Sequence, residues 1–303
     1  MSALRFGIDL GGSKIELIAL LAGSSKSKSG KVVYQKRIET PKGDYLAIVQ
    51  EIATLVFEAE AELGQKGGVG IGIPGAISYK TGRIKNANST CLIGKDLKSD
   101  LQKVLNREIT LANDANCFAL SEAVDGSGKG TRVVFGVIIG TGCGGGIVID
   151  GTILNGVNAI GGEWGHNPLP WADETDIPSP CYCGLKGCNE TFLSGSGFEA
   201  HYRLRTGVQK TAKEIVALSQ QGDTIATQLL YDYTVWLAKG LASVINVIDP
   251  DVIVLGGGMS NVDSLYREVP KIWHKWVFSD QVNTRLLPPK YGDSSGVRGA
   301  AWL

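Results

Sequence analysis

The sequence LRFGIDLGGSKIELIALL, from Leu4 to Leu21, carries the clearest information about the fold of this chain. Two apolar runs flank the tip GGSK, and the second run has the β-branched, alternating character of a strand rather than a helix. For one Gly-Gly tip alone, a plain hairpin turn is the simplest interpretation. Glycine also lets backbone N–H groups approach an anion closely. The stretch therefore predicts a β-hairpin with a candidate phosphate loop.

A second stretch repeats this pattern. RVVFGVIIGTGCGGGIVIDGTIL, from Arg132 to Leu154, has five glycines between Ile139 and Gly146, and a third glycine run, Gly256–Gly258, follows another apolar strand. Neither hairpin tip opens a helix, which excludes a Walker A loop and a dinucleotide fingerprint. Three such loops at strand ends favour a phosphate clamp built from two facing hairpins, one in each domain.

Strands alternate with helices along the chain. Strand patterns lie at Val69–Ser78, Glu108–Asn116 and Asp251–Asn261. Helical periodicity covers Asp44–Leu63, Asp96–Leu105, Ala115–Val124, Ala212–Ser219 and Asp223–Ile248. This alternation predicts an α/β architecture. A chain of 303 residues has room for two cores. We expect one domain over residues 1–115 plus a C-terminal helix at 293–303. We expect the second domain to cover residues 116–292 and to include the cysteine-rich loop described below.

Composition limits the classes of partner. Thirty basic and thirty acidic residues give a formal net charge of zero, which argues against nucleic-acid binding and a polybasic membrane anchor. No secretory signal or bilayer-length apolar run is visible. The cysteines do not form a secreted disulfide pattern. We therefore expect a cytoplasmic protein that binds neither nucleic acid nor membrane.

Asp114 is the candidate acid–base residue. It lies where the strand EITLAN meets a helix, in LANDANCFALSEA. Its alternative role is a helix N-cap. A carboxylate at a helix N-terminus stays ionised, and phosphoryl transfer needs one base for the acceptor hydroxyl. Amide and carboxylate side chains suit a ring of sugar hydroxyls, and those that flank the motifs are Asn88, Asn113, Glu163 and Glu190.

The stretch PCYCGLKGCNE places three cysteines within eight positions, Cys181, Cys183 and Cys188. Three clustered thiols leave one unpaired in any disulfide scheme, whereas Zn²⁺ takes four Cys or His ligands. His166, in a Gly/Pro-rich loop, is the best fourth ligand, and Glu190 is the runner-up. A closed four-ligand zinc site is structural. A redox cluster or a fortuitous grouping is the alternative.

The paired hairpin loops resemble those of the actin-like ATPase (ribonuclease H-like) superfamily of sugar kinases. The resemblance implies an α/β two-domain fold with an interdomain active-site cleft. It also implies Mg²⁺ near Asp9, with Thr141 and its glycines on the β- and γ-phosphates of ATP. The expected ATP contacts are Gly7, Ile8, Asp9, Leu10, Gly11, Gly12, Ser13, Lys14, Ile139, Gly140, Thr141, Gly142, Cys143, Gly144, Gly145, Gly146, Gly256, Gly257 and Gly258.

The sequence around the predicted metal ligands makes the resemblance more specific, because it points to one family. GEWGH followed by CYCGLKGCNE is similar at every fixed position to the ROK family pattern G-E-x-G-H, then C-x-C-G-x-x-G-C-x-E. The resemblance implies Asp114 as base, a small-molecule sugar as partner and a homodimer. It implies a structural Zn²⁺ on His166, Cys181, Cys183 and Cys188, with the other ring nitrogen of His166 on the sugar. The expected sugar contacts are Gly75, Asn88, Asn113, Asp114, Glu163, His166 and Glu190.

Stretches such as EWGHNPLPW and DPDVIVLGGGMSNVD look most like the bacterial fructokinase, or manno(fructo)kinase, branch of this family. The expected reaction is ATP-dependent phosphorylation of D-fructose to fructose 6-phosphate, with mannose second. The alternatives are an N-acetylmannosamine, N-acetylglucosamine or glucose kinase, and a sugar-sensing protein without turnover. A sugar-responsive repressor needs an N-terminal helix-turn-helix, for which a strand that starts at Leu4 leaves no room.

Overall fold

The computed structural model describes residues 3–23, 30–87 and 89–303. Within them the strands are β1 (Leu4–Leu10), β2 (Lys14–Ala22), β3 (Gly30–Glu39), β4 (Gly68–Ile73), β5 (Ala76–Ile77), β6 (Ile84–Lys85), β7 (Ile109–Asn113), β8 (Val133–Ile139), β9 (Cys143–Ile149), β10 (Thr152–Ile153), β11 (Val252–Gly256) and β12 (Arg285–Leu287). The helices are α1 (Tyr45–Leu63), α2 (Leu97–Leu105), α3 (Asp114–Val124), α4 (Asn189–Leu193), α5 (Gly195–Thr206), α6 (Ala212–Gln220), α7 (Thr224–Ile248), α8 (Asp263–Ile272) and α9 (Ser295–Trp302).

The chain forms two compact units. The first unit comprises Met1–Gly130, Gly146–Gly161 and Asp293–Leu303, and the second comprises Thr131–Gly145 and Gly162–Gly292. Helix α3 therefore lies in the first unit. The functional domain boundaries drawn from the sequence stay a prediction.

The first unit is built on a sheet with the strand order β3-β2-β1-β4-β7. Strand β1 is antiparallel to β2, as the hairpin pattern predicted, and parallel to β4, which is parallel to β7. The register places Asp9 beside Gly72 and Ile73 beside Asn113. Because the carboxyl ends of parallel strands meet at one edge of a sheet, three of the predicted site segments emerge at the same edge.

Alternation along β2 explains the layers of this unit. Ile15 and Leu17 are buried in the cluster that includes Ile52 of α1. Ile18 and Leu20 are buried in a second cluster with Val297 and Ala301 of α9. Successive strand side chains point to opposite faces, so the sheet is covered by a helix on each side.

The predicted helices are confirmed, and their ends follow local chemistry. Asp44 caps α1 by accepting a hydrogen bond from the backbone N of Ala47 at 3.0 Å. Gly64 ends the same helix in the left-handed conformation, with φ of 64°. Asp223 caps α7, accepting from the backbone N of Ala226 at 2.8 Å. Carboxylates at helix N-caps and glycine just past the C-terminus are the preferred terminators.

The second sheet has the strand order β10-β9-β8-β11-β12. Strands β8, β11 and β12 are parallel, with Gly256 beside Ile138. The loops after β8 and β11 therefore lie next to each other. Gly257 has φ of 80°, and a Cβ there would lie 2.7 Å from the backbone N of Gly140, so only glycine fits at this crossing. Among the described helices, none is long and apolar enough to cross a bilayer.

Candidate active site and metal centre

The tip of the first hairpin is held by backbone and side-chain bonds. Gly11 N donates to Lys14 O at 3.0 Å, and Thr40 N donates to Ser13 O at 3.1 Å. The Thr40 hydroxyl also donates to Gly11 O at 2.8 Å. The sequence did not predict this role for Thr40, because only the register of β3 against β2 brings it to the tip. Thr40 fixes the shape of the candidate phosphate loop.

Asp9 is a carboxylate in an unfavourable place. Its pKa is raised from 3.8 to about 6, first by burial and next by the negative charge of Asp114, with Glu16 adding to the effect. Lys14 and Arg37 oppose the shift without cancelling it. Asp9 and Asp114 thus repel each other within the first unit. A divalent cation bound near the two carboxylates would relieve that repulsion. Carboxylate oxygens together with phosphate oxygens are suitable ligands for Mg²⁺.

Asp9→Asn is expected to stabilise the folded protein at alkaline pH. Because the folded pKa is raised, the contribution of Asp9 to stability is complete below pH 3.8 and is lost as the pH rises through about 6. A shift of that size corresponds to about 3 kcal/mol at pH 8 and less than about 1 kcal/mol at pH 4. Urea unfolding at both pH values, without Mg²⁺, measures the difference.

The matched control is Asp44→Asn on the exposed cap of α1. Asparagine caps a helix as well as aspartate, so its effect should stay within about 0.5 kcal/mol at both pH values. Equal stabilisation by Asp9→Asn at pH 4 and pH 8 would contradict the electrostatic account.

The strand-to-helix junction after β7 separates two roles. Asn113, not Asp114, is the N-cap of α3: its Oδ1 accepts from the backbone N of Ala115 at 2.9 Å and of Asn116 at 3.3 Å. The Asn113 Nδ2 donates to Gly75 O at 3.0 Å, which ties the end of β7 to the turn after β4. The alternative interpretation of Asp114 as the cap is therefore wrong.

Asp114 is the first residue of α3, and its side chain is exposed. Its Oδ1 accepts from the backbone N of Ala115 at 2.8 Å. This bond orients the carboxylate at the start of the helix. An exposed and oriented carboxylate is what a general base requires.

The glycine loop of the second unit is tied to α4 and α5. Gly140 N donates to Gly142 O at 3.0 Å, and Gly195 N donates to Gly140 O at 2.7 Å. Glu190 Oε2 accepts from the backbone N of Cys143 at 2.9 Å. A residue predicted to contact the sugar is thus bonded to a loop predicted to contact phosphate. A displacement of α4 would therefore also displace the glycine loop.

The stretch GEWGH packs onto the same loop. Trp164 Nε1 donates to Gly144 O at 3.0 Å, and its ring meets Phe135 edge-on at 5.7 Å. A Cβ at Gly165 would lie 1.9 Å from Cys143 O, so only glycine permits this approach. Sequence reasoning missed Trp164, because its position between two functional residues carries no separate signal. Its burial leaves the neighbouring Glu163 exposed.

The four predicted metal ligands come together. Nitrogen or sulfur atoms of His166, Cys181, Cys183 and Cys188 all lie within 4.8 Å of one another. His166 Nδ1 is 3.6 Å from Cys181 Sγ, and Cys183 Sγ is 3.6 Å from Cys188 Sγ. Ligand atoms about 2.3 Å from a tetrahedral Zn²⁺ are separated by similar distances.

The electrostatics of the thiols also suit a cation. Burial is the first cause that raises the pKa of Cys181 and of Cys188, and neighbouring thiols add to it at Cys188. Thiolates this close repel each other unless a positive ion lies between them. The residues therefore fit a structural zinc ion with three cysteines and one histidine.

A buried ion pair fixes the middle of the loop that connects His166 to Cys181. Lys239 of α7 donates to Asp176 Oδ2 at 2.8 Å, and both side chains are almost fully buried. Trp236 Nε1 donates to the other carboxylate oxygen of Asp176 at 2.5 Å. The loop between Leu169 and Ser179 is thus anchored on α7 as well as at its cysteine end.

Tyr182 is a neighbour that sequence reasoning did not predict. Its hydroxyl lies 3.0 Å from His166 Nε2, and the two rings meet edge-on with centroids 5.1 Å apart. The side chain is largely exposed, but partial desolvation of the phenol is the first cause that raises the pKa of Tyr182, followed by the charge of Glu190 and of other neighbours that include Glu163. The available signal was its position between Cys181 and Cys183.

The predicted site residues fall into two groups. The first unit brings together Asp9, Gly11, Gly12, Ser13, Lys14, Gly75, Asn113 and Asp114, and it also contains Gly146. The second unit brings together Gly140, Thr141, Gly142, Cys143, Gly257, Glu163, His166, Glu190 and the three clustered cysteines. Asn88 lies outside the described residues.

Comparison with known proteins agrees with these features. The sequence profile of the ROK family matches residues 5–303. An N-acetyl-D-glucosamine kinase from Photobacterium profundum is 40% identical over 305 residues, an alignment that covers 99% of each protein. The ROK hexokinase from Thermus thermophilus has a TM-score of 0.86 at 28% identity, covering 99% of this chain and 97% of that one.

A ROK family glucokinase from Streptomyces griseus, solved in complex with glucose and AMPPNP, has a TM-score of 0.78 at 25% identity and covers 99% of this chain and 98% of that one. The fold is thus the two-domain actin-like ATPase fold that the hairpin loops predicted. The chain belongs to the ROK family, and within it to the sugar kinases, which implies ATP and Mg²⁺.

Proposed function

We propose that this kinase phosphorylates N-acetyl-D-glucosamine with Mg-ATP. The observation that carries the proposal is 40% identity, over 99% of both chains, to an enzyme of that activity. The comparisons do not support the preference for fructose that the sequence suggested, and they favour the N-acetylated alternative named beside it. An acetamido sugar offers hydroxyls, an amide N–H and a carbonyl oxygen, which suit the carboxylates and imidazole of the second unit.

In the proposed reaction, Asp114 accepts the proton of the acceptor hydroxyl through a carboxylate oxygen. The sugar oxygen then forms a bond to the γ-phosphorus as the bond to ADP breaks, and the electron pair leaves with ADP. Backbone N–H groups of the two glycine loops hold the phosphates. Asp9 would hold Mg²⁺, which supplies charge neutralisation when bound. Asn113, Glu163, His166 and Glu190 orient the sugar, and Gly75 and Asn88 stay predicted sugar contacts from the sequence.

The cysteine cluster has a structural role in this proposal. His166, Cys181, Cys183 and Cys188 would bind Zn²⁺, which leaves no coordination position open for chemistry. The cluster lies between Glu163 and Glu190 in the chain. Its ordering therefore positions the two carboxylates and the outer nitrogen of His166 for the sugar.

Sugar preference is tested by ADP release with Mg-ATP and a panel of sugars. We expect kcat/KM for N-acetylglucosamine to exceed that for fructose, mannose and glucose by at least about tenfold, because a polar site rejects analogues that leave its groups unpaired. N-acetylmannosamine, the 2-epimer, is the most stringent comparison, because it keeps the acetamido group and differs only in configuration at one carbon. Mass spectrometry and NMR of the product identify the phosphorylated hydroxyl.

Turnover led by fructose would restore the branch suggested by the sequence and overturn the proposed substrate. Turnover led by N-acetylmannosamine would retain the acetamido group as the recognised feature but change the sugar. Absence of sugar-dependent ADP release from metal-loaded protein would overturn the proposed reaction altogether.

A further inference from the structure

Tyr182 is a large side chain at the metal loop for which the proposed mechanism has no role. It is 77% exposed, although it is flanked in sequence by two cysteines of the cluster. Its hydroxyl lies 3.0 Å from His166 Nε2, and its ring stands at 87° to the imidazole. Core packing does not explain why an exposed aromatic side chain forms a hydrogen bond with an imidazole nitrogen, so its position needs another explanation.

The two nitrogens of His166 have different partners. Nδ1 lies 3.6 Å from Cys181 Sγ and belongs to the metal donor set. Nε2 faces the Tyr182 hydroxyl. Each ring nitrogen makes a single hydrogen bond, as a donor or as an acceptor. With Nδ1 engaged in the cluster, Nε2 is the nitrogen of this ring that can bond a ligand, and Tyr182 already occupies it.

The surroundings of this hydroxyl are polar. Glu163 is exposed three residues before His166 in the chain, and Glu190 is fixed on the glycine loop through the backbone N of Cys143. Both carboxylates are close enough to Tyr182 to act on it electrostatically. Imidazole, phenol and two carboxylates thus form one patch of the second unit, and the sugar proposed above would contact three of these four groups.

We propose that Tyr182 competes with the sugar for Nε2 of His166 and thereby sets the affinity of the enzyme for its sugar. This inference rests on the proposed function, in which a sugar hydroxyl bonds to Nε2. Binding exchanges one hydrogen bond for another: the Tyr182 hydroxyl leaves Nε2, and a sugar hydroxyl takes its place. Tyr182 therefore weakens sugar binding without taking part in phosphoryl transfer.

Tyr182→Phe tests the inference, because it keeps the ring and removes only the hydroxyl. One neutral hydrogen bond corresponds to about a 2- to 10-fold change in affinity. We expect the Kd for N-acetylglucosamine, measured by calorimetry without nucleotide, to fall by this factor. KM should fall in parallel while kcat stays unchanged. The control is Tyr231→Phe, an exposed tyrosine on α7, which should leave Kd and KM unchanged.

An unchanged Kd in Tyr182→Phe would overturn the inference, because the hydroxyl would then not compete. A higher Kd would also overturn it, by showing that the hydroxyl binds the sugar itself. If the parent enzyme bound only another sugar of the panel, the same comparison would be made with that sugar.

A second measurement separates this inference from the proposed function. The chain has three histidines, so the ring nitrogens of ¹⁵N-histidine-labelled protein give a simple NMR spectrum. Tyr182→Phe should shift the Nε2 resonance of His166 and leave those of His201 and His274 in place. If no sugar binds, the proposed function fails, and an unshifted His166 resonance overturns the inference independently of any sugar.

Discussion

Asp114→Asn should lower kcat for sugar phosphorylation by about 10²–10⁴-fold, the usual effect of removing a general base. The substitution keeps the size of the side chain and an oxygen that can accept from the backbone N of Ala115, the bond that Asp114 Oδ1 makes at 2.8 Å. The N-cap of α3 is Asn113, which is untouched. The expected loss is therefore chemical and not a consequence of unfolding.

The measurement is steady-state ADP release with saturating Mg-ATP, combined with the sugar Kd from calorimetry. Because the base acts in the transition state, kcat should fall far more than the Kd changes. Asp223→Asn is the control: Asp223 also accepts a backbone hydrogen bond at a helix start, from Ala226 at 2.8 Å on α7. Its kcat should stay within about twofold of the parent, since surface caps tolerate this exchange.

A kcat reduced by less than tenfold would assign the proton to another group. Asp9 would be the next candidate, because its pKa of about 6 places its titration near neutral pH. A bell-shaped or single-limb pH profile of kcat, compared between the parent and Asp114→Asn, would then identify the titrating base.

Local chemistry explains why much of the first unit could be predicted. The alternation of Leu4–Leu21 specifies a hairpin, and β1 and β2 pair as expected from Leu4 with Leu21 to Leu10 with Ile15. The predicted helical spans began at Asp44 and Asp96, which are the N-caps one residue before the observed helix starts. These features depend on neighbours in sequence, so a single sequence contains the information.

Contacts between distant segments could not be predicted in the same way. Thr40 reaches Gly11 across 29 residues, and Lys239 reaches Asp176 across 63. Neither spacing has a local signature, because each depends on how strands and helices pack. The alternative interpretation of Asp114 as the cap of α3 was wrong for the same reason: Asp114 and Asn113 are both good caps, and only backbone geometry distinguishes them.

The metal cluster is intermediate between these cases. Three cysteines within eight residues predicted a zinc site from composition and spacing alone, and the structure places the predicted His166 with them. The role of Tyr182 inside the same motif could not be inferred, because side-chain direction at an exposed loop position is set by the fold of the loop. The choice of sugar was beyond reach for a related reason: specificity depends on small differences in shape and in hydrogen-bond partners.

Cys188→Ser should abolish stoichiometric zinc binding. Cys188 is buried, and its sulfur lies 3.6 Å from that of Cys183. Changes outside the ligand shell already cost about 10–100-fold in metal affinity, so loss of a thiolate ligand should cost more than about 100-fold. Elemental analysis of protein purified with added zinc measures the change. Cys91→Ser, outside the cluster, should retain the metal.

The consequence for function follows from the position of Cys188 as the N-cap residue of α4, two residues before Glu190. Without the ion, nothing links His166, Cys181 and Cys183 to the start of α4, so α4 and the segment from Cys181 should lose their fixed positions. Apparent zinc binding energies of about 10 kcal/mol are large enough to order a loop. The sugar Kd should therefore rise strongly in Cys188→Ser, whereas nucleotide contacts in the first unit should persist. In the parent protein, bound zinc should also protect the three clustered thiols from a thiol reagent. Metal-free protein that binds sugar with an unchanged Kd would show that the cluster orders nothing the sugar needs.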